Sequence, residues 1–359
     1  MERHPENPLI RPEDVSPSTP EYEVVGAFNP GAVKVGDEYL LLLRVAERVR
    51  KEEGWIRVPH VEFREGGNGI PSVLSFREDD PDVRLKDTRG VVYKGVDYLS
   101  TMSHIRLARS RDGVHFTVEK DPFLFPASPA ERFGVEDARV VYLEGRYWIT
   151  FTVVSPDGWA TALASTTDFR SVERHGIIFH PQNKDVCIFP EKIRGRYAAL
   201  HRPNNEGFGK PSIWYAESPD LLHWGAHSCL ARPRPTVWEA MKIGGGAPSI
   251  RTTKGWLQIY HAKGEGQRYT LFALLLDHED PRKIIARGTV PLMEPEAPYE
   301  KEGFFGNVLF TNGIIAHEDG TLSIYYGAAD QYTCLVRTGL EEVFAHLEAH
   351  GDRGSRAAG

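Results

Sequence analysis

Phe133-Gly134-Val135-Glu136-Asp137-Ala138-Arg139 runs directly into Val140-Val141-Tyr142-Leu143-Glu144-Gly145-Arg146-Tyr147-Trp148-Ile149-Thr150-Phe151, and the reading of this stretch decides the fold. It reads as a carboxylate at the mouth of a strand, a turn at Glu144-Gly145, and a second strand of alternating large residues. The same element recurs. Before it, Phe28-Asn29-Pro30 leads through Gly36 into residues 39–44; after it, Phe189 leads through Gly195 into 197–202, Ala247 through Gly255 into 256–261, and Asn312 through Gly320 into 322–326. A second element follows most of these hairpins, with turn aspartates Asp112, Asp168, Asp220 and Asp280 spaced 56, 52 and 60 residues apart. Two hairpins per unit, at this period and with no helical pattern between them, argue for radial repetition of four-stranded blades. The expected fold is all-β, a five-bladed β-propeller over residues 1–338 as one domain. A short C-terminal helix and tail follow over 339–359, with Leu340, Val343, Phe344 and Leu347 at helical spacing.

Working outward, residues 1–27 are Pro-rich and charged and read as an irregular leading segment that wraps a neighbouring blade or a second subunit, which leaves a homo-oligomer open. Between about 47 and 100 the repeat breaks. Loop signals at Arg50-Lys51-Glu52-Glu53, Gly66-Gly67-Asn68-Gly69 and Asp79-Asp80-Pro81-Asp82 mark an insertion in blade one. The formal net charge of −7 argues against a nucleic acid or an anionic membrane as partner, while leaving room for a local cationic pocket. Cys187, Cys229 and Cys334 show neither disulfide nor zinc spacing and read as small buried hydrophobes. Met1-Glu2-Arg3-His4-Pro5-Glu6-Asn7 lacks an apolar signal region and no stretch approaches a membrane span, so a cytoplasmic location is expected. The histidines show no metal-ligand spacing, and no metal or organic cofactor is expected.

The repeat serves as a ruler for chemistry. Counting five residues beyond the residue that follows each turn gives Arg44, Thr152, Arg202, His261 and Gly327, which would ring one mouth of a propeller channel. Counting eight residues before each turn glycine gives Phe28, Asp137, Cys187, Ala247 and Asn312 at the same mouth, with one carboxylate among them. Lys242, in the connection between blades three and four, is a further cation. Any one of these cations alone would read as a surface ion pair; their shared register points to an anion pocket facing a single acid. An inverting glycosidase needs a second carboxylate to activate water. Phosphorolysis needs instead a pocket of Arg, Lys and His donors, because phosphate is already a nucleophilic anion.

Gly134-Val135-Glu136-Asp137-Ala138-Arg139, Phe189-Pro190-Glu191-Lys192, Leu200-His201-Arg202-Pro203, Gly244-Gly245-Gly246-Ala247-Pro248 and Tyr326-Gly327-Ala328-Ala329-Asp330 resemble the motifs of glycoside hydrolase family 130, the β-mannoside phosphorylases and β-mannosidases. The resemblance spans about residues 28–337 and implies a five-bladed propeller. It implies that Asp137 is the proton donor, acting directly or through a hydroxyl of the bound mannose, and that Arg202, Lys242 and His261 bind phosphate. Ala138 stands where the family often has Pro after the acid. The implied reaction is inverting, reversible phosphorolysis of a β-mannoside to α-mannose 1-phosphate, with inorganic phosphate as co-substrate. Asp330 resembles a sugar-binding carboxylate, and a turn-capping role fits it equally. Asn183-Lys184-Asp185 resembles the version found in members acting on β-1,2-linked mannosides, so Lys184 and Asp185 join Asn29 and Arg44 as candidate substrate contacts. Arg106 suits a structural ion pair at least as well. Two other readings stay open: a β-mannosidase on the same fold, and a non-catalytic glycan-binding propeller. The arabinanase-like and fructosidase-like propellers fit less well, because Phe28-Asn29-Pro30 stands where they carry an aspartate.

Overall fold

A computed structural model of the chain describes residues 1–64, 69–86, 90–204 and 207–353. The Gly66-Gly67-Asn68 part of the expected insertion loop and the tail 354–359 lie outside the described residues.

The chain is all-β apart from short helices, and its described strands form five antiparallel meanders. The first runs Tyr22–Val35, Glu38–Val49, Met102–Ser110 and Thr117–Val118. The second runs Gly134–Leu143, Arg146–Ser155, Gly158–Thr166 and Glu173–Phe179. The third runs Asn183–Ile188, Tyr197–Pro203, Ile213–Ser218 and Gly225–Ala231. The fourth runs Lys242–Gly245, Trp256–Lys263, Tyr269–Leu276 and Ile284–Gly288, and the fifth Leu309–Ala316, Thr321–Ala328 and Tyr332–Gly339. A single parallel bridge, Gly134 to Ser103, joins the first and second into one sheet.

Inner strands such as Glu38–Val49, Arg146–Ser155 and Trp256–Lys263 are mostly buried on both faces and read as long apolar runs, while outer strands such as Glu173–Phe179 and Gly225–Ala231 are partly exposed. Successive side chains point to opposite faces. Leu40 and Leu42 therefore enter a core with Ile105 and with Val140 and Ile149 of the second meander, while Leu41, Leu43 and Val45 enter a different core with Tyr325 and Leu335 of the fifth. The Glu144-Gly145 turn has positive φ at both residues, 53° and 82°, the geometry whose twist matches a two-residue hairpin. The repeated aspartates are turn caps. Asp112 Oδ1 accepts the N–H groups of Val114 and His115, Asp168 those of Arg170 and Ser171, and Asp220 those of Leu222 and His223.

The insertion in the first meander is a hairpin, Trp55–Glu62 with Ile70–Arg77, and a small sheet of Val83–Leu85, Gly90–Tyr93 and Val96–Leu99. Val58, Phe76 and Val91 give it a core of its own. The leading segment wraps its own chain: Glu2 and Arg3 pair with Arg337 and Val336 as a fourth strand on the fifth meander. Leu340–His350 is an α-helix whose Val343, Phe344 and Leu347 pack on the core shared by the fourth and fifth meanders. One boundary differs from the sequence reading: Lys242 opens the first strand of the fourth meander rather than lying in the connection, and Asn183-Lys184-Asp185 lies inside the first strand of the third.

Candidate active site

The site is built by one irregularity repeated in three first strands. The register slips between Phe28 and Gly31, between Glu136 and Arg139, and between Lys184 and Cys187, each time placing extra residues opposite the second strand. Such a bulge re-aims side chains. Asn29, Asp137 and Asp185 sit in the three bulges with φ of 48°, 55° and 57°, and all three are buried. Asn and Asp are the non-glycine residues that enter this region at least cost. Asn312 occupies the corresponding slip in the fifth meander, and its Nδ2 donates to the Asn29 carbonyl at 3.0 Å.

Directly across from these first strands the register pairs Phe28 with Arg44, Glu136 with Thr152, Lys184 with Arg202, Gly244 with His261, and Phe310 with Gly327. All five second-strand positions counted from the repeat therefore occupy equivalent places. The first-strand count does not: Cys187 and Ala247 are displaced, and Asp185 takes the place assigned to Cys187.

Asp137 Oδ1 accepts from Asn29 Nδ2 at 3.0 Å and from Arg44 Nη1 at 3.1 Å. The carboxylate is thus held by polar partners rather than enclosed by the apolar Val135 and Ala138. Arg44 also binds Ser103 Oγ at 3.0 Å and Glu136 Oε2 at 2.6 Å, and lies over the Phe28 ring. Burial works against the Arg44 charge, but Glu136, Asp137 and Asp330 reverse it and raise its pKa. The expected single acid is corrected here. Glu136 points into the site, bridging Arg44 to Lys184 Nζ at 2.5 Å, and Asp185 is a further buried carboxylate.

Asp185 gathers two guanidiniums and an imidazole. Its oxygens meet Arg139 Nη2 at 3.1 Å, Arg202 Nε, and His261 Nε2 at 3.3 Å off the line of a good hydrogen bond. Burial alone would push this carboxyl up; Arg202, His261 and Arg139 hold it well below the usual carboxylate range. Arg139, missed as a site residue, also donates to the carbonyls of Asp137, Gly245 and Gly246, so one guanidinium ties three meanders together. Its position two residues after the acid was the available signal. His261 is fully buried, neither ring nitrogen is hydrogen-bonded among the described residues, and desolvation, with Arg202 and Lys242 nearby, pushes its pKa down to about 4 against the pull of Asp185. Desolvation, then Arg202, Lys263 and Lys184, pushes Lys242 down to about 7, with Asp185 opposing. Lys242 shares a strand face with Gly244, whose partner is His261. A Cβ on Gly244 would lie 2.2 Å from Asp185 Oδ2 and 2.7 Å from His261, so glycine is what lets these two side chains meet.

Gly327 is open for a similar reason, since a Cβ there would lie 2.0 Å from Asn29 Oδ1. Asp330 lies in the Ala329-Asp330 turn after Thr321–Ala328, both residues with positive φ, close enough to act electrostatically on Arg44. Arg106 is buried away from this site, donating to His104 Nε2 at 3.0 Å. The structure thus brings Asn29, Arg44, Asp137, Lys184, Asp185, Arg202, Lys242 and His261 into one connected cluster with Glu136 and Arg139.

The family model for glycoside hydrolase family 130, described as beta-1,4-mannooligosaccharide phosphorylase, matches residues 80–349. The chain belongs to this family. It is similar to a Beta-1,2-mannobiose phosphorylase of Listeria innocua, 44% identical over 350 residues and covering 96% of this chain and 98% of that one. A 1,2-beta-oligomannan phosphorylase of Thermoanaerobacter sp. is 38% identical over 249 residues, covering 67% of this chain and 82% of the relative. Among solved structures, the Listeria innocua Beta-1,2-Mannobiose phosphorylase in complex with beta-1,2-mannobiose superimposes with a TM-score of 0.90 at 43% identity, covering 97% and 99% of the two chains.

Proposed function

We propose that this family 130 chain is a β-mannoside phosphorylase acting on β-1,2-linked manno-oligosaccharides. It cleaves them with inversion to α-mannose 1-phosphate and runs reversibly. The observation that carries the reading is the convergence of Arg202, Lys242 and His261 around one buried carboxylate at the same mouth as Asp137. Phosphate, bound by charge-assisted contacts, attacks the anomeric carbon. Asp137 gives its proton to the leaving oxygen, directly or through a mannose hydroxyl. Glu136 and Asp185, two further carboxylates, are engaged by Arg44 and Lys184 and by Arg139, Arg202 and His261, an arrangement suited to positioning these side chains rather than to activating water. The β-1,2 linkage is supported by the names of the Listeria and Thermoanaerobacter relatives and by Asn183-Lys184-Asp185.

The same proposal includes a five-bladed propeller. It is supported by first strands that meet in rotation: Asn312 to Asn29, Asn29 to Asp137, Arg139 to Asp185, Cys187 Sγ to the Gly246 carbonyl at 3.1 Å, and Gly246 against the Thr311 carbonyl. A cytoplasmic site of action fits the product, a charged sugar phosphate of use where it is made.

The test is incubation with β-1,2-mannobiose with and without inorganic phosphate. Release of α-mannose 1-phosphate only with phosphate is expected. Equal turnover to free mannose without phosphate would place the chain with the β-mannosidases, and no turnover would leave a glycan-binding role.

A further inference from the structure

Arg44 divides its guanidinium among three partners, one for each nitrogen. Nε donates to Ser103 Oγ at 3.0 Å, Nη1 donates to Asp137 Oδ1 at 3.1 Å, and Nη2 meets Glu136 Oε2 at 2.6 Å. The group lies over the Phe28 ring, 4.7 Å from its centre. Two carboxylates thus compete for one planar fork, and the closer contact is the stronger. Glu136 is therefore the partner toward which Arg44 turns if nothing else holds it. The Ser103 hydroxyl, on the Nε edge, fixes the remaining direction of a donor set whose geometry is rigid.

Ser103 is in turn tied to the strand that carries the acid. It is buried and pairs with Ala46, which shares a strand face with Arg44. Its backbone makes the parallel bridge to Gly134, the first residue of Gly134–Leu143. A Cβ on Gly134 would lie 2.6 Å from the Ser103 carbonyl oxygen and 2.7 Å from its amide nitrogen, so the two chains touch there. Ser103 consequently sets the Arg44 fork relative to the backbone that aims Asp137. At the acid itself, Arg44 and Asn29 Nδ2 both donate to Oδ1. Oδ2 has no hydrogen-bond partner among the described residues, and the side chain keeps 8% of its surface exposed. A carboxylic acid carries its proton on one oxygen and accepts with the other. With Oδ1 committed to two donors, the transferable proton belongs on Oδ2.

We propose that Ser103 is a positioning residue for the general acid: it holds Arg44 on Asp137 Oδ1 against the pull of Glu136, so that the acid presents its proton from Oδ2. This rests on the phosphorylase reading above. Ser103→Ala removes the hydroxyl, and Ser103→Thr keeps it. In phosphorolysis of β-1,2-mannobiose, Ser103→Ala is expected to lower kcat about 10-fold, the scale of one hydrogen bond to a charged group. The KM for phosphate, bound at the Arg202 side of the cluster, and the melting temperature should stay at their wild-type values. Ser103→Thr should restore kcat. In an Arg44→Ala background, Ser103→Ala should cause no further loss, because it acts through that guanidinium. An unchanged kcat in Ser103→Ala, a parallel change in the phosphate KM, or a full additional loss in the Arg44→Ala background overturns the assignment. So does a Ser103→Thr variant that melts like the wild type yet turns over at the rate of the alanine variant. Wild-type release of free mannose without phosphate would instead overturn the phosphorylase reading, and the same comparison of variants would then be made on hydrolysis.

Discussion

At Asp137 the backbone occupies the left-handed region, which costs an L-residue of order 1–2 kcal/mol and persists only where surroundings over-determine it. Here the bulge, Asn29 and Arg44 supply that determination, and the carboxylate is aimed by them. Asp137→Asn keeps an oxygen for both donors, so the variant should fold and melt like the wild type while kcat for phosphorolysis falls by about 10²–10⁴, the usual contribution of a general acid. Part of the loss should return on an aryl mannoside whose leaving group needs no proton; steady-state kinetics on both substrates checks this. Lys242 makes a second prediction. Titrating near 7 in the free protein, it is charged below that pH and neutral above it. Its attraction for phosphate therefore weakens as pH rises through 7. Because kcat/KM reports the free enzyme, the profile for phosphate should carry a falling limb near pH 7 that Lys242→Arg abolishes, since an arginine stays charged throughout. Retention of the same limb in that variant would assign it to another group.

The elements explain what could be read beforehand and what could not. Second strands leave each turn at a constant distance, so counting along them located Arg44, Arg202 and His261 correctly. First strands reach the turn glycines through connections of unequal length: two residues in the first and second meanders, but eight between Ile188 and Tyr197 in the third. A fixed count backward consequently drifted, landing on Cys187 instead of Asp185. The bulges add a residue that no periodicity announces, which is why Glu136 was passed over and the mouth was read as holding one acid. The glycines of Gly244-Gly245-Gly246 were visible as a motif, but their reason is a distance between side chains of other strands. Gly244→Ala should force Asp185 and His261 apart, raise the phosphate KM at least 10-fold, and leave the far-UV circular dichroism unchanged. An unaltered KM would mean that the pair does not shape the anion site.

For the molecule as a whole, the repeat and the resemblance made the meander architecture and the family legible from residues alone. The destination of the leading segment was not legible, since an irregular charged stretch carries no signal for the edge it joins. Its anchor is Arg3, which binds fully buried Glu300 through Nε at 2.8 Å. Removing one partner of such a pair strands a charge. Glu300 keeps the Tyr326 hydroxyl and the N–H groups of Glu296 and Ala297, so Arg3→Ala should cost about 3 kcal/mol, the lower end for a broken buried pair, read as a lowered urea midpoint with kcat preserved. An unmoved midpoint would show that the segment lies on the fold without holding it.

That pairing also orders events on the ribosome. Glu2 and Arg3 emerge more than three hundred residues before Val336 and Arg337, the strand they complete. The earlier-made segment must wait for the later-made one. Throughout translation the nascent chain carries a strand with no edge to join, and when Tyr332–Gly339 finally appears it offers an edge that either this strand or a neighbouring chain on the same polysome can take.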